Sequence, residues 1–255
     1  MAAIELKTRE EIRTMRSAGR VVAEVLARLA ETIQPGMSTL DLDRMAEEWT
    51  RKAGCKPAFK GYQGFPGTLC TSVNEEVVHG IPSSKRRIEA GDIVSVDFGV
   101  ILDGFYSDSA TTLSVGEIDD SLKQLMDTTR EGLLKGIEQA RAGNRIGDIG
   151  FAVQTHCEAR GYGVVRDFVG HGIGRNLHEA PQIPNYGKPG GGVRLRAGMV
   201  VCIEPMINMG TWEVRKLDDG WTIVTADGKP SAHYEHCIAI TEEGPEILTQ
   251  LPKAA

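Results

Sequence analysis

Landmarks in the first half of this chain return 107 residues later, and that offset limits the possible folds more than any other feature. Gly36 returns as Gly143, Asp41 as Asp148, Gly54 as Gly161 and Ala90-Gly91 as Ala197-Gly198. Asp97 returns as a second carboxylate, Glu204 (204 − 97 = 107). One such match is chance. Five at one spacing indicate an internal duplication, with a period too long for a solenoid.

Each copy reads helix, helix, strands. Ile12, Met15, Val21, Val22, Val25, Leu26, Leu29 and Ile33 recur at three- and four-residue steps, predicting a helix that Pro35-Gly36 ends. Ser38, with Asp41 three residues on, reads as the cap of a second helix carrying Leu42, Met45, Ala46 and Trp49, closed by Gly54. Strand signals follow in 68–74 and 92–114. In the second copy Leu122, Leu125, Leu133, Leu134 and Ile137 predict one helix, and 146–160 another. No Pro- or Ser-rich linker separates the copies. The expectation is one α+β domain over residues 1–255, its halves (10–114 and 120–241) related by a pseudo-twofold axis.

A net charge of −6 argues against nucleic acid or an anionic membrane as partner, and the one tight basic run, Lys85-Arg86-Arg87, reads as a solvated loop. The cysteines number five, with no C-x-x-C, which fits free thiols in a reducing compartment. The N-terminal stretch is charged, without the apolar core of a signal peptide. A soluble cytoplasmic protein is expected.

Asp103-Gly104 is a strong hairpin signal. With a two-residue turn there, paired positions sum to 207, so Asp108 opposes Gly99 and lies diagonal to Asp97. The strand around Asp97 is apolar (Ile93, Val94, Val96, Phe98), and a buried carboxylate without a partner is costly. Glu204 in VVCIEPM and Glu235 in SAHYEHCIAI break apolar runs in the same way. A lone acid would read as half of a salt bridge; four are better explained by cations. His171 in FVGHGIGRNLHE, flanked by glycines on a strand end or loop, completes a set of Asp97, Asp108, His171, Glu204 and Glu235. Its four carboxylates balance two divalent cations. The oxygen-rich set suits Mn, Fe or Co, with Zn admissible.

These residues resemble the type I methionine aminopeptidases of the pita-bread fold. HGIP (79–82), GDIVSVDFG with DGFYSD (91–108), FVGHGIGRNLHEAPQIPNYG (168–187), GMVVCIEPMI (198–207), DGWTIVTADG (219–228) and SAHYEH (231–236) carry the likeness. The resemblance implies removal of the initiator methionine by a hydroxide that bridges two metal ions. Asp97 would chelate one ion, Asp108 and Glu235 both, and His171 and Glu204 the other. Glu204 would shuttle the proton, His178 would bond the carbonyl oxygen, and His79 would position the scissile amide. The methionine pocket would draw on Phe59, Tyr62, Phe65, Cys70, Phe168, Leu177 and Trp221. A monovalent cation (Na or K) would sit on backbone carbonyls near Asn74, Glu76 and Ser231. Implied partners are peptide and nascent-chain N-termini, with transient ribosome contact, and the implied state is a monomer. The rivals are a proline-specific aminopeptidase or prolidase of the same fold, and a non-catalytic binding protein.

Overall fold

A computed structural model describes residues 3–251. The first copy runs α1 (Arg9–Thr32), α2 (Thr39–Lys52), β1 (Lys56–Pro57), β2 (Leu69–Val73), β3 (Glu76–Val78), β4 (Ile93–Leu102) and β5 (Phe105–Ser114). The second opens with α3 (Asp120–Gln139) and α4 (Ile146–Glu158), then β6 (Gly163–Val164), β7 (Gly170–Gly172), β8 (Glu179–Ile183), β9 (Val200–Ile203) and β10 (Met206–Asn208). It closes with β11 (Val214–Lys216), β12 (Ile223–Thr225), β13 (Ser231–His233), β14 (His236–Ile240) and β15 (Pro245–Ile247).

Local chemistry sets the helix starts. Thr8 and Glu11 form a capping box, Thr8 Oγ1 accepting from Glu11 N at 3.2 Å and Glu11 Oε2 accepting from Thr8 N at 2.9 Å. Ser38 and Asp41 form the box expected for α2, with Asp41 Oδ2 accepting from Ser38 N at 2.8 Å. Such a cap stabilises by about 1 kcal/mol. The apolar stripe of α1, including Met15, Val22, Leu26 and Leu29, is buried, and the helix packs on β4 and β5. Each such side chain contributes roughly 1.5–3 kcal/mol by leaving water.

Strands β2, β4 and β5 pair around β4, with β1 on the far part of β4. The second copy builds a five-stranded sheet in the order β15-β14-β9-β7-β8. Two three-stranded sheets, β13-β10-β6 and β11-β12-β3, complete the framework. The strand pairings among the described residues are antiparallel. The mixture of helices and antiparallel sheets is the α+β class expected from the sequence.

The duplication is visible in the hydrogen bonds. Gly36 N donates to Ile88 O at 2.8 Å, and 107 residues on Gly143 N donates to Leu195 O at 3.0 Å. The isolated bridge Ser38–Arg87 recurs as Arg145–Arg194.

The β4–β5 hairpin has the expected register: Leu102 faces Phe105 and Gly99 faces Asp108. Asp103 and Gly104 take φ of 49° and 79°, the pair of positive angles that a twist-matched two-residue turn requires.

The helix expected from Leu122, Leu125, Leu133, Leu134 and Ile137 is α3, within which Leu134 is 43% exposed and its neighbour Leu133 2% exposed because consecutive helical residues point about 100° apart. Two local expectations change. Glu204 and Glu235 do not interrupt strands from within. They occupy the breaks between β9 and β10 and between β13 and β14, where the chain leaves one sheet for another. His171 is the central residue of β7, not at a strand end or in a loop, and a bulge in its pairing with β8 follows it.

Candidate metal centre and substrate cavity

The hairpin and the two sheet changes bring the four acids together. Asp97 sits in mid-β4, opposite Cys70 of β2 and Ala110 of β5. Asp108 is two residues down the neighbouring strand from Ala110, so the two carboxyls share a face. Glu235 is fixed at its break by its N–H, which donates to Ala110 O at 2.9 Å. Glu204 is fixed through its carbonyl, which accepts from Asn185 Nδ2 at 3.1 Å.

His171 Nδ1–H donates to the Gly172 carbonyl at 2.9 Å, which turns Nε2 towards the acids. Nε2 stands 3.6 Å from Glu204 Oε1 and 3.8 Å from Asp108 Oδ2. Donor atoms of Asp108, His171, Cys202 and Glu235 all lie within 4.8 Å of one another. Asp97 joins by sharing a face of the hairpin with Asp108, and Glu204 through His171.

Burial pushes all four acids up, Asp97 to about 7. For Asp108 burial is followed by the charges of Glu235 and Asp97, for Glu204 by those of Asp97 and Asp108, and for Glu235 by those of Glu204 and Asp97. Burial drives the His171 imidazole down to about 3, so its Nε2 carries a free lone pair. Among the described residues the ion-pair partners at this centre are histidines, not Lys or Arg. Asp97 Oδ1, Asp108 Oδ1 and Glu235 Oε1 are buried and without hydrogen-bond partners. Orphaned oxygens on like-charged buried acids, facing one neutral imidazole, fit divalent cations that prefer oxygen donors. Cys202 is a different matter. Burial raises its thiol far above the usual range, and the nearby acids raise it further, so it stays protonated beside Glu235 and is read as a hydrogen-bond donor.

All seven residues expected for the methionine pocket line one cavity with the metal-site carboxylates on its floor. Phe65 and Trp221 pack edge to face at 5.1 Å, and His79 meets Phe168 edge to face at 5.6 Å. The His178 ring lies 4.3 Å from that of His171, tilted by 58°, and shares a 2.9 Å hydrogen bond through Nδ1 with Tyr62 OH. His79 takes φ of 62°, a left-handed backbone rare for a non-glycine residue. Burial lowers it to about 4, and it is therefore neutral near pH 7.

Asn74, Glu76 and Ser231 also come together, with Ser231 N donating to the Asn74 carbonyl at 2.9 Å. Glu76 Oε2 accepts from Val73 N at 2.7 Å.

Two neighbours of the centre, Cys202 and His233, were not singled out in the sequence. His233 is 1% exposed, with Nε2 orphaned and 4.0 Å from Glu204 Oε2. Each lies two residues before an acid, Glu204 or Glu235, at or next to the end of the strand that leads into that acid's break.

The sequence profile of metallopeptidase family M24 matches residues 13–242. A methionine aminopeptidase of Clostridium perfringens is 54% identical over 246 residues, covering 96% of this chain and 98% of that protein. The crystal structure of methionine aminopeptidase from Thermotoga maritima superposes with a TM-score of 0.96 at 49% identity, covering 98% of this chain and all of that one. A prolidase from Pyrococcus horikoshii shares the fold at a TM-score of 0.78 and 25% identity, with 64% of its length covered. With the profile spanning most of the sequence and full-length relatives above half identity, the chain belongs to metallopeptidase family M24.

Proposed function

We propose that the chain is a methionine aminopeptidase that removes the initiator methionine from peptides and nascent proteins with a small second residue. One observation carries this reading: a single cavity is lined both by aromatic side chains and by a cluster of four carboxylates, buried at Asp108 and Glu235 and half-buried at Asp97 and Glu204, with a neutral imidazole. Relatives of that printed name at 49–54% identity support it, against 25% for the prolidase.

Asp97 would hold one divalent ion, Asp108 and Glu235 both, and His171 and Glu204 the other. Such a pair supplies Lewis-acid polarisation of the scissile carbonyl and a water made nucleophilic at neutral pH. Phe59, Phe65, Cys70, Leu177 and Trp221 give the methionine side chain an apolar site, with aromatic rings in reach of its sulfur. Tyr62 and Phe168 complete the wall. Glu204 takes the proton from the attacking water and passes it to the leaving amine. His178, its Nδ1 held by Tyr62, offers Nε2 to the carbonyl oxygen as negative charge builds there. His79 positions the scissile amide with a neutral imidazole.

The metals in the cell are Co, Mn, Fe or Zn on this reading. The Asn74 carbonyl, with a second lone pair beside the one that Ser231 N–H uses, would help hold a Na or K ion. The protein would act as a cytoplasmic monomer that meets the ribosome transiently. Buried free thiols at all five cysteines fit that compartment, and among the described residues no helix is long and apolar enough to cross a membrane.

Turnover of Met-Gly-x against x-Pro peptides tests the substrate. Cleavage after methionine is expected, and a preference for x-Pro would transfer the chain to the prolidases. Loss of turnover in Glu204→Gln separates an enzyme from a binding protein. His178→Ala is expected to lower kcat by roughly 100-fold, as for loss of one oxyanion donor, with bound metal unchanged. Equal losses in kcat and in metal content would remove His178 from this role.

A further inference from the structure

We propose that Lys7 and Glu179 form a clasp by which the N-terminal segment positions His178. The mechanism does not use this pair, yet it is among the most deeply buried in the protein: the Lys7 side chain is 5% exposed and that of Glu179 10%. Lys7 Nζ donates to Glu179 Oε2, and Glu179 directly follows His178 in the chain. A charge pair kept from water is costly to hold unless its geometry is enforced from several sides, and here it is.

On the N-terminal side, Lys7 N donates to Gly198 O at 2.7 Å, which ties the segment to the turn before β9. One helical turn on, Glu11 meets Arg175 at 3.3 Å. On the other side, Glu179 Oε1 accepts from Asn176 N at 3.0 Å and closes the loop that carries His178. Gly174 lies under the ammonium: a Cβ there would stand 2.3 Å from Lys7 Cε and 2.7 Å from Nζ. Tyr106 N then fixes the Gly174 carbonyl at 2.8 Å. The buried Lys7–Glu179 pair thus holds the end of 174–179 next to His178, while the bridge from Glu11 of α1 to Arg175 at the other end is solvent-exposed and adds little.

Lys7 does not line the cavity, and its side chain bonds to Glu179 and the Glu5 carbonyl, so it is a positioning residue. A catalytic imidazole displaced by about 1 Å loses a rate factor on the order of 100. The catalytic part of this proposal rests on the aminopeptidase reading; the structural part does not.

The test compares wild type, Lys7→Met, Glu179→Gln and the double variant in the full chain. Hydrogen–deuterium exchange on the metal-free protein is expected to quicken roughly tenfold across 174–178 in Lys7→Met, while α2 and β4 keep their wild-type rates. With metal bound, kcat on Met-Ala-Ser falls roughly 10- to 100-fold, with KM and metal content held. The double variant falls no further than the singles, because the pair acts as one unit. Gly174→Ala, which keeps both charges but dislodges the ammonium, gives the same pattern. If Lys7→Met does not fold, Glu179→Gln carries the comparison, since it neutralises the acceptor and keeps its shape. Unchanged exchange at 174–178, single-variant losses that add in the double, or a kcat loss that tracks lost metal would each overturn the clasp. An inactive wild type would instead sink the aminopeptidase reading, and the exchange comparison would still decide whether the clasp holds the loop.

Discussion

Exhaustive chelation abolishes hydrolysis of Met-Ala-Ser by this chain, and returning Co or Mn restores it. The expected loss is more than about 1,000-fold, because the cavity holds no other group able to replace what the ions supply. Polarising the carbonyl and preparing a nucleophile at neutral pH are worth several kcal/mol each, and 1.36 kcal/mol is a factor of ten in rate. The protein's own candidates for general acid and base cannot substitute. Burial holds His79 near 4 and His171 near 3, so neither is a strong base near pH 7. Glu204 without a cation is pushed upward by burial and by Asp97 and Asp108, towards a protonated form that cannot take the proton of the attacking water. The measurement is an end-point assay after dialysis against chelator, followed by stepwise metal return with the bound ions counted. Activity that survives complete metal removal would refute the hydrolytic chemistry. Asp97→Ala sharpens the result: it should bind one ion fewer, and an unchanged count would dismantle the ligand set.

Much of this centre was legible because its geometry is local. The Asp103-Gly104 turn sets the β4–β5 register, and the register alone puts Asp97 and Asp108 on one face. The capping residues Ser38 and Asp41 mark the start of α2 through a single short-range exchange of hydrogen bonds. What the sequence hid is non-local. Val200–Ile203 and Met206–Asn208 read as one apolar run, and only the tertiary arrangement shows that β9 and β10 belong to different sheets with Glu204 at the change. Lys7 and Glu179 are 172 positions apart and look like ordinary surface charges in any window of sequence. His233 and Cys202 were obscured by the stronger signal of the acids beside them. The 107-residue offset linked Asp97 with Glu204 alone; Asp108 and Glu235, whose counterparts at that spacing are Arg215 and Thr128, came from the hairpin register and from the broken apolar run.

The metal-free chain should lose stability as pH rises above about 6.5, and bound metal should cancel that loss. The direction follows from proton counts. Burial holds the folded-state Asp97 near 7, against an ordinary value of 3.8, and pushes Asp108, Glu204 and Glu235 upward as well. A carboxyl with a raised folded pKa contributes stability at low pH and forfeits it as pH climbs through that pKa, at about 1.4 kcal/mol per unit for each proton retained. The buried histidines work the other way. His171 and His233 near 3, and His79 and His236 near 4, add stability as pH rises to their unfolded value of 6.5, beyond which they contribute no slope. The two trends oppose each other below pH 6.5; above it the carboxyl trend remains, joined near pH 8.5 in the same direction by the buried thiols of Cys70, Cys157 and Cys202, which burial also pushes up. From pH 6.5 to 8.5 Asp97, held near 7, gives up just under ~1 kcal/mol, or roughly 2–4 °C in Tm for a protein of this size, and the other three acids, pushed up by burial and by one another, add to the loss in the same direction. With two divalent ions in place the acids are held ionised at every pH in that range, so the Tm of the loaded protein should stay level and the gap between the two forms should widen. Thermal melts of metal-free and metal-loaded protein at four pH values measure this directly. Asp108→Asn supplies the control: deleting one of the crowded charges should raise the metal-free Tm at pH 8 while it weakens metal uptake. A metal-free Tm that stays flat to pH 8.5, or an Asp108→Asn variant that melts earlier than wild type there, would mean that the four acids do not crowd one another as their burial requires.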